Sequence, residues 1–145
     1  MDTIRVKLLR AGAHLPTYGS LEAAGADLYA CLEESITIAP GETVFIPTGI
    51  ALEVPKGCAG LVYARSSLGT KRGLAPANKV GVIDSDYRGE IRVVLYNHGA
   101  VPQTIENAER IAQLIITPVL TPGYTWSEEL TQTERSSGGF GSTGK

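Results

Sequence analysis

Glycine and proline are spread so widely through this chain that few windows are long enough for a helix without a breaker. The 145 residues hold 17 Gly and 8 Pro, and each is unfavourable inside a helix, by roughly 1 kcal/mol for Gly and 3 kcal/mol for Pro. What remains between them is a series of short runs with strand character. Ile4-Arg5-Val6-Lys7-Leu8 and Ile50-Ala51-Leu52-Glu53-Val54 alternate, with the larger apolar side chains on one face. Val44 to Ile46, Leu61 to Ala64, Ile91 to Tyr96 and Ile111 to Thr117 are rich in β-branched or aromatic residues. Turn signals fall between them, at Pro40-Gly41, Pro47 with Gly49, Pro55 with Gly57, Gly89, Gly99 with Pro102, and Pro122-Gly123. Many short strands at this spacing predict an all-β sandwich or barrel. One helix of a turn or two is predicted over Ser66 to Arg72, with a serine as its cap and basic residues toward its end.

The length predicts one domain, large enough to bury roughly 70% of its unfolded surface without staples. The formal charge, 13 − 15 = −2, gives no general pull toward nucleic acid or membrane. Cys31 and Cys58 form no C-x-x-C pair; two reduced, packed thiols are expected, with a disulfide as the alternative. The first residues lack a signal-peptide pattern, and no apolar run approaches the ~20 residues of a membrane helix. These features predict an intracellular, cytoplasmic setting. Residues 1 to 126 read as the β-domain and 127 to 145 as a flexible tail. From Thr131 onward only Phe140 is large and apolar.

Chemistry concentrates in Gly81-Val82-Ile83-Asp84-Ser85-Asp86-Tyr87-Arg88-Gly89-Glu90. It reads as strand, tight acidic turn, strand. A solvated turn is the plain reading. The functional one is a carboxylate at the lip of a pocket, where Asp84 is a candidate base for a water molecule and Asp86 holds the turn. Arg65-Ser66-Ser67, between a strand and a helix start, reads either as a capped helix with a surface arginine or as a phosphate cradle. Gly139 to Lys145 matches the letters of a P-loop, but no helix can follow Lys145. The alternatives are a disordered tail and a flap whose glycines wrap an anion and whose Phe140 stacks on a base. Asp27 and Gln113 are polar residues in short strands, with ordinary strand chemistry as their plain reading. His14 and His98 are read as surface or structural, and no protein-built metal site is visible.

In this order, Ala24 to Ala30, Arg65 to Gly69, Gly81 to Glu90, Glu109 to Leu114 and Arg135 to Gly144 resemble the five motifs of the homotrimeric dUTPase family. The resemblance covers nearly the whole chain. It implies a jelly-roll-like β fold, assembled as a trimer with three sites shared between subunits. It also implies hydrolysis of dUTP to dUMP and pyrophosphate with Mg²⁺ held mainly by the phosphates. That reaction would limit uracil in DNA and supply dUMP. Asp84 then resembles the general base. Tyr87 resembles the residue under the deoxyribose. The segment from Asn78 to Asp84, with Gly81, Val82 and Ile83 in it, resembles the hairpin whose backbone reads uracil. Arg65, Ser66, Ser67 and Gln113 match phosphate contacts, and Asp27 the acid that reaches the metal through water. Arg135 and Phe140 resemble the flap's phosphate clamp and uracil stack, with Gly141, Ser142 and Thr143 beside them. Ala64, Ser67 and Ala108 depart from the residues many members carry there (Pro, Gly and Gly). Those departures bear on turn geometry. A dCTP deaminase of the same fold and a non-catalytic trimeric nucleotide-binding protein are the competing expectations.

Overall fold

Alternating burial marks out the strands. In Arg92–Asn97, Val93, Leu95 and Asn97 point inward and the residues between them outward, the period-2 pattern of a sheet with one buried face. The computed structural model describes residues 3–139, which form twelve strands and one helix. The strands are β1 (Val6–Leu8), β2 (Thr17–Tyr18), β3 (Ala26–Tyr29), β4 (Ile36–Ile38), β5 (Thr43–Pro47), β6 (Ile50–Leu52) and β7 (Cys58–Tyr63). The helix α1 (Ser66–Arg72) follows. After it come β8 (Leu74–Pro76), β9 (Gly81–Ile83), β10 (Arg92–Asn97), β11 (Gln103–Ile105) and β12 (Arg110–Pro118). Each run with strand character in the sequence yields a strand, shifted by up to three residues at its ends.

Four sheets result: β2-β3-β12-β7-β9, β5-β10-β8, β1-β6 and β11-β4. All their ladders are antiparallel. They enclose one core containing Leu28, Ile38, Ile46, Leu74, Leu95, Ile105 and Ile111, all fully buried. Each such side chain contributes roughly 1.5–3 kcal/mol of transfer free energy. This is the all-β, jelly-roll-like architecture with a single short helix. Asn97, wholly buried in the core, has its polar atoms satisfied: Nδ2 donates to the Ile38 and Val101 carbonyls, and Oδ1 accepts from Gly99 N–H. Cys31 and Cys58 are both free thiols. Among the described residues no helix is long and apolar enough to cross a membrane.

Two local expectations are corrected. Helix α1 does end in Lys71 and Arg72, and Gly73 closes it in the left-handed region at φ 65°. A side chain at Gly73 would also strike Gly99 N at 2.8 Å. No serine caps it, however. Arg65 is the N-cap residue, without a side-chain cap bond, and Ser66 is the first helical residue. The strands on either side of the acidic turn do not pair with each other, because β9 pairs with β7 while β10 pairs with β5 and β8. The turn crosses from one sheet to another. Nor do the strands flanking Asn78 form a hairpin with each other, since β8 pairs with β10. Beyond Pro118 the described chain carries no strand or helix, and most of 119–139 is exposed.

Candidate functional site

The first cluster grows from the crossing between β9 and β10. Strand β9 brings Gly81 against Val62, so closely that a Cβ on Gly81 would lie 3.2 Å from the valine Cβ. Ile83 is buried and anchors the strand, and the chain then turns into solvent. Tyr87 N–H donates to the Asp84 carbonyl at 3.1 Å, which closes the turn. Arg88 Nη1 donates to the Ser85 and Tyr87 carbonyls at 2.8 and 2.9 Å. Asp86 bonds no other described residue, so the turn is held by backbone and Arg88, and the expectation that Asp86 holds it fails. The Tyr87 ring folds back over Gly89, and its hydroxyl donates to the Glu90 carbonyl at 3.0 Å. A Cβ on Gly89 would meet that hydroxyl at 2.3 Å.

Asn78, Gly81, Val82, Ile83, Asp84 and Tyr87 line one cleft of about 280 Å³, together with Phe45, Glu90 and Arg92 from the neighbouring sheet. Asp84 is exposed in it, an open carboxylate rather than a partly buried one. Approach to Asn78 is shaped by Lys79, which holds a left-handed φ of 65°. Its N–H donates to the Pro76 carbonyl at 2.9 Å.

The second cluster lies where β3, β12 and the end of β7 run side by side. Gln113 sits opposite Asp27 on one flank and Tyr63 on the other. Asp27 is buried. Its Oδ1 accepts from Arg65 Nε at 2.7 Å and its Oδ2 from Arg110 Nη1 at 3.2 Å. One carboxylate thus holds two guanidiniums, and the pair keeps a surplus positive charge. Arg65 spends only Nε on Asp27, which leaves its Nη groups as donors. Gln113 Nε2 donates to the Ala64 carbonyl at 2.9 Å, and Gly25 lies against its side chain, 2.8 Å from a hypothetical Cβ to Oε1. Gly25, Asp27, Arg65, Ser66, Arg110 and Gln113 line a cleft of about 210 Å³. A surplus of arginine, a hydroxyl and an amide in one concave surface suits a phosphate-bearing ligand. Ser67, also exposed, is not part of that lining.

The two clefts share no residue, and strand register explains why. Ile83 pairs with Gly60 in an antiparallel ladder, so Asp84 continues toward the start of β7 while Arg65 lies past its end. Six residues at about 3.3 Å each put the two groups roughly 20 Å apart. Each cleft is also smaller than the roughly 300–1,000 Å³ usual for ligand sites.

Arg135 is exposed, and among the described residues it bonds only locally, Nε donating to the Gly138 carbonyl at 2.9 Å. Phe140, Gly141, Ser142 and Thr143 lie outside the described residues. Among the described residues no group of three His, Cys, Asp or Glu could hold a metal. Sequence reasoning missed Arg110. Arg110 starts the same β-strand as Gln113, three residues before it and beside a register shift in the pairing with β3, and no local signal in the sequence marks that pairing. It also missed Glu90, which anchors the acidic turn.

A family model described as dUTPase matches residues 11–144. A deoxyuridine 5'-triphosphate nucleotidohydrolase of Janthinobacterium sp. (strain Marseille) is 47% identical, covering 100% of this chain and 99% of that protein. A protein of the same description from Desulfitobacterium hafniense (strain DSM 10664 / DCB-2) is also 47% identical, over 99% of both. Among solved structures, a mutant dUTPase of Staphylococcus bacteriophage 80alpha with dUpNHpp superposes with a TM-score of 0.91, at 29% identity over 100% of both chains. A mutant dUTPase from phage phi11 of S. aureus, described with a structural Mg(II) ion, gives 0.82 at 25% identity, over 90% of this chain and 100% of that one.

Proposed function

The chain belongs to the dUTPase family, and from that premise we propose that it hydrolyses dUTP to dUMP and pyrophosphate in sites built between copies of itself. The observation that carries the reading is the separation of the two half-sites. A basic, hydroxyl-bearing cleft and a cleft with an open carboxylate are each complete locally, yet stand roughly 20 Å apart along β7 in one chain. Three copies arranged in a ring would set the first cleft of one against the second of the next.

In such a site the backbone of Asn78, Gly81, Val82 and Ile83 reads the uracil edge. Tyr87, pinned to Glu90, presents its ring to the deoxyribose and leaves no space for a 2′-hydroxyl. Arg65, Ser66 and Gln113 hold the phosphates, with Arg110 as a further cation and Ser67 beside them. Asp84 takes a proton from a water molecule as its oxygen bonds to the α-phosphorus. The bond to the bridging oxygen breaks, and pyrophosphate leaves with the electron pair. A step of this kind asks mainly for positioning and charge neutralisation, which the arginines and hydroxyls supply. Arg135, Phe140, Gly141, Ser142 and Thr143 would close over the nucleotide as clamp, stack and donors, and exclude bulk water.

The described residues fit Mg²⁺ in one way only. They offer no cage of carboxylates, and Mg²⁺ keeps several waters and favours phosphate oxygens. Asp27 already accepts one bond on each oxygen, so it would serve as an acceptor for metal-bound water. Bound with the triphosphate, the ion would supply charge neutralisation.

Asp84→Asn tests the chemistry. It should lower kcat for dUTP about a thousandfold or more while a non-hydrolysable dUTP analogue still binds. Near-normal turnover would remove Asp84 from the role of base. A panel of dUTP, dCTP, UTP and dTTP, read for pyrophosphate and ammonia, tests the substrate. Ammonia from dCTP would favour a deaminase instead.

A further inference from the structure

At the edge of the first cleft, three segments distant in sequence meet on one carboxylate. Glu90 Oε1 accepts from Gly49 N–H at 2.9 Å and from Arg10 Nη2 at 2.9 Å, and Oε2 accepts from the same Arg10 nitrogen at 3.0 Å. The Gly49 carbonyl in turn accepts Leu9 N–H at 2.7 Å. The loop after β1, the turn between β5 and β6, and the exit of the acidic turn are therefore cross-tied. The carbonyl of that same Glu90 is the acceptor for Tyr87 OH.

We propose that Arg10, acting through Glu90, is a positioning residue for the Tyr87 ring and so for discrimination between deoxyribose and ribose. This rests on the reading of Tyr87 as the residue under the sugar. The entrance of the turn is fixed by the β9 ladder, and the next residue out, Ile91, donates its N–H to Ile50 at 2.8 Å. The Glu90 carbonyl shares its planar peptide with that Ile91 N–H, so β6 holds one side of the peptide, and the Glu90 side chain, tied to Arg10 and Gly49, holds the other. Arg10 is about half exposed and Glu90 is one-fifth exposed. The arginine end of the pair is open to solvent, which limits what it adds to global stability. Its effect is geometric: one guanidinium nitrogen, Arg10 Nη2, reaches both carboxylate oxygens and so fixes their orientation, a contact that a lysine ammonium could reproduce in part.

The test is the ratio of kcat/KM for dUTP to that for UTP, a quantity that the folded fraction does not alter. Arg10→Met should lower the ratio about tenfold with little change in melting temperature, and Arg10→Lys should recover part of it. In a Tyr87→Ala background Arg10→Met should cost nothing further, because the two act on one path. Amide exchange over residues 84–90 should rise in Arg10→Met while the core strand around Leu95 stays protected. If Tyr87→Ala collapses the ratio and Arg10→Met leaves it intact, or if exchange in the turn does not change, the inference is overturned. If Tyr87→Ala itself keeps the ratio, the sugar reading of Tyr87 fails and the role of Arg10 fails with it; dUTP turnover and the exchange data then stand apart.

Discussion

At the scale of single residues, the acidic turn is a problem of space as much as of charge. Tyr87 can fold back because Gly89 has no side chain; a Cβ there would sit 2.3 Å from the tyrosine hydroxyl and 2.5 Å from Cζ. The residue pressing on it is a rigid ring, so relief requires the ring to swing or the turn to open. Gly89→Ala should therefore lower kcat/KM for dUTP about tenfold, and loss of the Tyr87–Glu90 bond should cost about 1 kcal/mol of stability. Steady-state kinetics beside a thermal melt measures both. Unchanged kinetics would mean that the ring orientation is irrelevant to turnover. The chemistry-bearing residues of this turn were legible in the sequence because they are contiguous. The ion-paired centre was not. Asp27, Arg65 and Arg110 lie 38 and 83 positions apart, and nothing local in an arginine at the start of a strand announces the carboxylate it will meet. The same is true of Arg10 and Glu90, separated by 80 positions.

At the scale of elements, the strands were readable because their signal is local: alternation, β-branching and a breaker on each side. Partners are another matter, since a period of two says which face a residue takes and not which strand lies beside it. That is why a strand on each side of the acidic turn was readable, but not that the turn crosses between sheets. The turn into β12 carries a different lesson. Ala108 sits at φ 60°. It is held there by its N–H to the Ala30 carbonyl at 2.9 Å, and Glu109 Oε2 accepts Glu106 N–H at 3.0 Å. Glu109 also pairs with Arg72 at the end of α1, so this strained turn ties the helix to the strand bearing Arg110 and Gln113. A left-handed alanine costs roughly 1–2 kcal/mol, part of which glycine returns as unfolded-chain entropy. Ala108→Gly should stabilise the protein by about 0.5–1 kcal/mol, read as a higher midpoint in urea, with dUTP kinetics unchanged. A lower midpoint would show that the turn is not strained.

At the scale of the whole molecule, what the chain lacks alone is a way to bring Asp84 to Arg65. The antiparallel register of β7 with β9 carries them to opposite ends of one strand, and no rotamer spans roughly 20 Å. No local pattern in the sequence could have revealed this, because it follows from which strands pair. The described chain also leaves Leu120, Tyr124, Trp126 and Leu130 almost fully exposed after its last strand, an apolar series a lone chain has no reason to keep in water. If sites form between copies, two inactive variants should restore each other. Asp84→Asn chains keep the phosphate cleft, and Arg65→Ala chains keep the carboxylate. Unfolded together in equal amounts and refolded, they should yield some sites that pair the intact half of each. With two chain types drawn at random into a closed ring, about a quarter of the sites should recover, and neither variant alone should. Mixing the folded proteins without denaturation should recover far less, unless subunits exchange. Should the co-refolded mixture stay as inactive as its parents, while sedimentation shows mixed assemblies, Asp84 and Arg65 must serve the same site from one chain. The separation along β7 would then have to be closed by a rearrangement within it.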